Sequence, residues 1–533
     1  MRNTALARNQ SAYKGMTAAN ESKGSSVPAP TGGWDAISPL SQMPADHAVQ
    51  LINFFPQPGY VELRRGHIIW CDTGTGLPIE SMMGYMGQGV ATNNLFAASG
   101  GNIFDVTGTT PATAGTGFTS DRWQFVNFGG VTGSFLWMCN GFDTPQIWDG
   151  TTLAAAVITG TGFLPADMIH CCVYRQRIWT VIKDSTKAVY LDTNAIQGAG
   201  TVFDVGQNFV NGGYLEAIGA WSTDTVNGPN EFIAFISSQG DVATYLITDP
   251  TQASGISFIG RSEVGQPIGR RCVSKVGADL AVISLDGVLP LSKTLTYDKA
   301  ALIGQSITKN IRQAVVAATR AGKDLFGWEL TSYARNTMAI LNVPISENEQ
   351  QEQYVMNTIT GAWGRFQGQN ANCWEVFLDD PYFGGNDGVV RLADESGGDE
   401  NQTLSADMQC AFNYYGSRGQ LKNWTTIRPN ITIDVTFPTQ PNIGLNIDFG
   451  TDGELDPITF GTGQTLPLWN QALWNQAIWP GVTSATNWAA LPGLGYCASI
   501  RMTVDIPWDE SLITPSQLQI NTFDTLYYDG AFI

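Results

Sequence analysis

The sequence predicts an all-β protein: a β-propeller of six to seven blades, an appended C-terminal β-sandwich or barrel-like domain, and one short helix. The first observation behind this is a repeated phrase, an apolar run, a turn rich in Gly, Asn or Asp, and a second apolar run, which recurs seven times between Leu95 and Asp394. The copies are LFAASGGNIFDV (Leu95–Val106), FLWMCNGFDTPQIWDG (Phe135–Gly150), RIWTVIKDSTKAVYLD (Arg177–Asp192), FIAFISSQGDVATYLI (Phe232–Ile247), LAVISLDGVLPLS (Leu280–Ser292), TMAILNVPISENEQQEQYVMNT (Thr337–Thr358) and YFGGNDGVVRLAD (Tyr382–Asp394). The second is their spacing. Phe104-Asp105, Trp148-Asp149 and Tyr190-Leu191-Asp192 close the first three, with aspartates 44 and then 43 residues apart. Later hairpins follow at roughly 40–60 residues, the signature of a blade-by-blade array. The third is a change of character past residue 400, where ITIDVTF (Ile431–Phe437) and IRMTVDI (Ile500–Ile506) alternate as half-buried strands of a sandwich or barrel.

In chain order, residues 1–33 are polar and end in PAPTGG, which reads as an extended arm, crossing to a neighbour or fraying as a tail. Residues 34–66 form an opening pair of strands: Val49, Leu51 and Asn53-Phe54-Phe55 in one, Tyr60-Val61-Glu62-Leu63 in the next, with Pro56-Gln57-Pro58-Gly59 as the turn. Residues 67–400 carry the hairpins and the propeller. The Thr337–Thr358 hairpin reads with an unusually long turn. One helix interrupts the series at Ser306–Gly322, with Ile307, Ile311 and Val315 on one face, Ser306 as N-cap and Gly322 at the end. Residues 401–533 form the C-terminal β domain. Within it, LWNQALWNQAIWPG places Trp469, Trp474 and Trp479 five residues apart, a period of neither helix nor strand. These three are candidates for an interface cluster, the alternative being the core of that domain.

Composition narrows the function classes. The chain has 533 residues, 43% of them hydrophobic and only 14% charged, which argues against disorder and for more than one domain. Its 47 acids against 28 bases give a net charge of −19. Tight nucleic-acid binding needs a basic excess that releases counterions, so this balance excludes it. It suits either plain solubility or a path along which DNA slides without sticking. No run approaches the ~18 apolar residues of a membrane span, and the N-terminus has no apolar h-region, so neither a transmembrane helix nor a signal peptide is expected. The eight cysteines are dispersed without a CxxC pair. Cys171-Cys172 sits in the strand-like run IHCCVY, where the two read as buried small hydrophobes ahead of metal ligands or a disulfide.

Catalytic patterns are sparse. GxSxG, P-loop and HExxH motifs do not occur, and three histidines in unrelated settings make a Ser-His-Asp triad improbable. The carboxylate pairs Asp379-Asp380, Asp394-Glu395 and Asp399-Glu400 are the glycosidase candidates, since a retaining site needs two carboxyls about 5 Å apart. Neighbouring acids in Gly-rich turns more often point apart. The run DESGGDEN (Asp394–Asn401) is oxygen-rich but lacks DxDxDG spacing, so it offers at most an adventitious cation site. Trp137, Trp148 and Trp179 lie inside hairpin strands and read as core rather than sugar-stacking platforms. No catalytic residue, metal ligand or cofactor is expected from these patterns.

The opening segment, with MPADHAVQLINFFPQPGYVELRRG at Met43–Gly66, resembles the start of tail nozzle (tail-hub) proteins of short-tailed bacteriophages, a group also described as packaged-DNA stabilisation or tail tubular proteins. Further similarities follow in the same order: Tyr174–Asp192, FVNGGYLEAIGAW (Phe209–Trp221), Phe235–Pro250, Val264–Ser292, NVPISENEQQEQYVMNTITGAWGRF (Asn342–Phe366) and FDTLYYDGAFI (Phe523–Ile533). The resemblance spans nearly the whole chain. It implies a propeller with added β domains and a homohexameric ring below the portal and the head-to-tail adaptor. It further implies contacts with tail fibres or spikes, and a role in sealing packaged DNA and then passing it through the ring lumen without tight binding. It brings no catalytic residues. The expected location is the virion tail, after assembly in the host cytoplasm. A glycan-binding or glycan-cleaving receptor-recognition tail protein is the alternative, and a propeller scaffold unrelated to phage is a third reading.

Overall fold

A strand buried on both faces reads as an unbroken apolar run, and this is what the hairpins supply. In the computed structural model, which describes residues 22–130, 133–225, 228–277, 279–434, 437–451, 453–457, 482–485, 487–513 and 517–530, each of the seven hairpins is the second and third strand of its own blade. The innermost strands are Ser81–Tyr85, Gln124–Gly130, Met168–Tyr174, Leu215–Thr225, Val273–Val276, Glu329–Tyr333 and Cys373–Phe377. Each touches the next and the last returns to the first, so the described residues close a ring of seven blades. The fold is all-β and a β-propeller. Blade 7 is completed by Gly66–Asp72 lying antiparallel to Val389–Ser396, which fastens the start of the propeller to its end.

Seven apolar clusters lie between successive blades and an eighth fills a separate domain. Trp137 and Trp179 are wholly buried in two of the between-blade clusters and Trp148 is buried in a third, as read from the hairpins. Truncating such a ring typically costs about 3–5 kcal/mol. The Thr337–Thr358 hairpin has no long loop. Its polar run continues both strands, Met338–Ser346 and Gln350–Asn357, to a tight turn. The side chains Gln351, Glu352 and Gln353 are buried with hydrogen-bond partners, which is why a polar segment extends a strand here.

Blade 5 has three strands, Val273–Val276, Asp279–Ser284 and Gly287–Pro290, where the other blades have four. Its outer edge is closed by the lead-in to the helix: Ile307 N and Ser306 Oγ both donate to Val288 O, and Val288 N donates to Thr308 Oγ1. This corrects the helix start. Ser306 is committed to that strand edge, so the α-helix runs from Arg312 to Gly322 after one 3-10 turn, and Ile311 and Val315 enter the cluster between blades 5 and 6. Two further short helices, Leu291–Thr294 and Lys299–Gly304, also follow blade 5.

The two ends of the chain build one β-sandwich. One sheet joins Lys23–Pro28, Phe54–Gln57 and Tyr60–Leu63 to Lys422–Asp434, Leu518–Asp529 and two further C-terminal strands. The other joins His47–Ile52 to Leu404–Cys410, Ala498–Ile506 and Asn442–Ile447, and runs on into the outer strand of blade 6 through the pair Ile52–Arg365. Residues 23–28, expected to belong to an extended arm, therefore pair with Thr522–Tyr527 of the same chain, and the opening strands are not a separate unit. The reason is amphipathicity: Ala48, Leu51, Phe54, Val61 and Leu63 need an apolar cover, which Met502, Val504, Ile506 and Ile520 supply. The propeller is thus an insertion between two halves of a sandwich. Among the described residues, no helix is long and apolar enough to cross a membrane.

Candidate functional site

The sequence candidates do not converge. Trp469, Trp474 and Trp479 lie outside the described residues. Asp380, the first residue of the second strand of blade 7, pairs with Arg335 at 2.5 Å. Asp394 sits at a left-handed position (φ 63°) where Tyr333 Oη donates to it at 3.0 Å and Asn336 Nδ2 also donates. Burial pushes its carboxyl up to about 6, against the pull of Arg65. Glu400 accepts from Ile69 N. Among the described residues no three His, Cys, Asp or Glu side chains gather as a metal site, and none of the three histidines hydrogen-bonds to a hydroxyl. His47 Nδ1 lies 3.0 Å from Asp35, His67 Nδ1 lies 3.0 Å from Asp399, and burial pushes His170 down to about 4.

Two other arrangements stand out. The first is the junction, where the chain leaves the sandwich at residues 64–66 and returns at 397–403. Arg64 and Asp399 are each 1% exposed. Every guanidinium N–H of Arg64 has an acceptor: Nε donates to Asn53 Oδ1, Nη1 to Arg65 O and Asp399 Oδ1, and Nη2 to Gln367 O and Asp399 Oδ2. Burial alone would raise the Asp399 carboxyl, but the guanidinium and His67 outweigh it and hold it well below the ordinary range. The strands cross so closely that a Cβ on Gly66 would lie 1.8 Å from Gly398 O. A single fork therefore ties together both crossings, the sandwich hairpin and the end of blade 6.

The second is the propeller axis. At the face carrying the blade-to-blade links, a cavity of about 510 Å³ opens over the inner strands of blades 2, 4, 5 and 6. Arg122 and Arg271 lie 4.3 Å and 5.1 Å from the Phe326 ring centroid, a cation–π stack that fixes both forks. Arg122 bonds Glu80 at 2.9 Å and Glu347 at 2.6 Å. Arg271 Nη2 donates to Ser81 Oγ and Glu80 O, while its Nη1 makes no hydrogen bond and stands 3.5 Å from Glu329 Oε2. Deeper along the axis, Glu375 reaches toward blade 1, where a Cβ on Gly84 would lie 3.0 Å from its Oε1. Burial, with repulsion from Glu329, pushes Glu375 up to about 8. These residues were not among the sequence candidates because they belong to separate blades with no common motif. The available signal was their position, at or just before each blade's first strand.

No family model and no curated protein matches the chain. Solved β-propeller structures align with it at low similarity. The crystal structure of BBS1N in complex with ARL6DN shares 12% identity at a TM-score of 0.39, covering 62% of this chain and 98% of that one. YCF48 bound to D1 peptide shares 9% at 0.36, covering 66% and 99%. BamB from Moraxella catarrhalis shares 11% at 0.29, covering 63% and 88%. The blade count rests on the closed ring of inner strands and not on these likenesses.

Proposed function

We propose that this chain is a structural, non-enzymatic virion protein: the nozzle, or distal hub, of a short phage tail, closing the tail tube over packaged DNA and later serving as its exit conduit. The observation that carries the reading is the collinear resemblance to tail nozzle proteins from Met43 to Ile533. The insertion of a propeller into a sandwich agrees with the propeller-plus-β-domain plan that the resemblance implies. A net charge of −19 suits a lumen that must release DNA. The engagement of Asp380, Asp394 and Asp399 with Arg335, Tyr333 and Arg64 weighs against the glycan-cleaving alternative, because those carboxylates already hold the fold together. In this reading the chain assembles as a homohexamer in the host cytoplasm, docks on the head-to-tail adaptor and offers outer surface to fibres or spikes.

The test is assembly. The purified chain, mixed with portal and adaptor, should yield rings by mass photometry and cryo-microscopy, and should release no reducing sugar from host polysaccharide. Turnover of a glycan that disappears in Asp394→Asn or Asp399→Asn variants that still fold would favour the alternative.

A further inference from the structure

We propose that the mouth of the propeller channel is a docking site for an acidic peptide segment, held by Arg270 and Lys323. The proposal goes beyond the nozzle reading and does not depend on it.

The cavity is about 510 Å³, large enough to receive two or three side chains of an inserted segment. Its charges are not all committed. Arg122 is matched by Glu80 and Glu347, and Arg271 partly by Glu329. Arg270, by contrast, donates only to a carbonyl, Asn140 O at 3.0 Å, and neither it nor Lys323 has a carboxylate within ion-pair distance among the described residues. The acids that also line the mouth are Glu216 and Asp324. Burial raises the Glu216 carboxyl above its ordinary range, with the charge of Arg270 opposing, and Asp324 is exposed at the rim beside Lys323. The Arg271 side chain is 10% exposed and lines the same cavity, with its Nη1 enclosed and turned to Glu329 at 3.5 Å. The stack on Phe326 fixes Arg271 as part of the cavity wall.

The remaining walls suit a peptide better than a polynucleotide. Gln124 and the amide pair in which Gln266 Nε2 donates to Gln239 Oε1 line the wall with groups that match main-chain N–H and C=O, and Phe142 and Tyr214 offer apolar edges for a side chain next to the acid. A polynucleotide would meet the repulsion of the whole −19 chain, whereas one or two carboxylates need only the local cations.

The test uses the full chain and a fluorescein-labelled peptide carrying two adjacent glutamates beside a phenylalanine, with a diglutamine counterpart. Fluorescence anisotropy should show the glutamate peptide binding at least tenfold tighter, more weakly as salt rises, and at least tenfold more weakly to the double variant Arg270→Ser, Lys323→Ser. Both substitutions are on the cavity lining outside the packed clusters, and an unchanged thermal transition would establish that the variant folds. Equal affinity for the two peptides, or unchanged binding by the folded double variant, would overturn the proposal. So would tighter binding of a single-stranded oligonucleotide of matched length that displaces the peptide, which would assign the mouth to a polyanion.

Discussion

Removing Asp399 should be among the most damaging single changes in the chain. The substitution Asp399→Ala deletes the acceptor of two of the N–H bonds of Arg64 and leaves a guanidinium 1% exposed with no counter-charge. Breaking one side of such a buried pair costs about 3–5 kcal/mol, because the remaining charge stays desolvated. Replacing both partners with apolar groups, Arg64→Met with Asp399→Leu, should cost less than the sum of the single changes, giving a coupling energy of about 2 kcal/mol or more. Two domains make a single unfolding free energy ill defined. The appropriate assay is therefore calorimetry that resolves the transitions, paired with limited proteolysis across residues 397–403. The expected result is a lower transition for the junction and earlier cleavage there in either single variant, with partial recovery in the double. The pair also sets a pH window. A carboxyl held below its unfolded value of about 3.9 contributes its full stability above that pH and loses it as pH falls toward the folded value. The wild type should thus lose its advantage over Asp399→Asn below about pH 4. A single-variant cost under about 1 kcal/mol, or additivity in the double, would show that Arg64 and Asp399 are not coupled as a buried pair.

Three further outcomes are expected elsewhere in the chain. Glu375 keeps its proton in the folded chain up to about pH 8 while the unfolded chain releases it near pH 4.5, so ionisation lowers stability as pH rises between them. Glu375→Gln should gain roughly 2–4 kcal/mol on the wild type at pH 8 relative to pH 4.5 in urea denaturation, after allowance for channel water, and a pH-independent difference would count against this. Gly66→Ala, whose Cβ would lie 1.8 Å from Gly398 O, should cost about 3 kcal/mol or more, or fail to fold, read as loss of the thermal transition. In the nozzle reading, alanine at Trp469, Trp474 and Trp479 should weaken ring formation by mass photometry while leaving the circular dichroism of the subunit unchanged. A collapsed spectrum would instead place those rings in a core.

The propeller was legible because its signal is local. Each hairpin, such as Leu95–Val106 or Phe232–Ile247, carries its own apolar strands and its own turn, so the blade is written in contiguous residues. The sandwich was only half legible, since its strands come from both ends of the chain. His47–Ile52 pairs with Leu404–Cys410 across more than three hundred residues, and nothing in either strand names the other. Ser306 illustrates a rule overridden by context: a good N-cap residue was claimed by the open edge of blade 5. Of the carboxylate pairs, Asp399 proved a structural ion and Asp394 a buried hydrogen-bond acceptor, because the partners Arg64 and Tyr333 lie far away in sequence. The channel residues Arg122, Arg271, Glu329 and Glu375 belong to four blades, so only closure of the ring brings them to one axis.

In the nozzle reading, this chain works by closing into a ring on a tail. Cryo-microscopy of the purified protein incubated with portal and adaptor tests it most directly. The expected result is homohexameric rings seated coaxially below the adaptor, with an open lumen and no bound DNA. A chain that stays monomeric in the presence of both partners, at micromolar concentration and physiological salt, would contradict it.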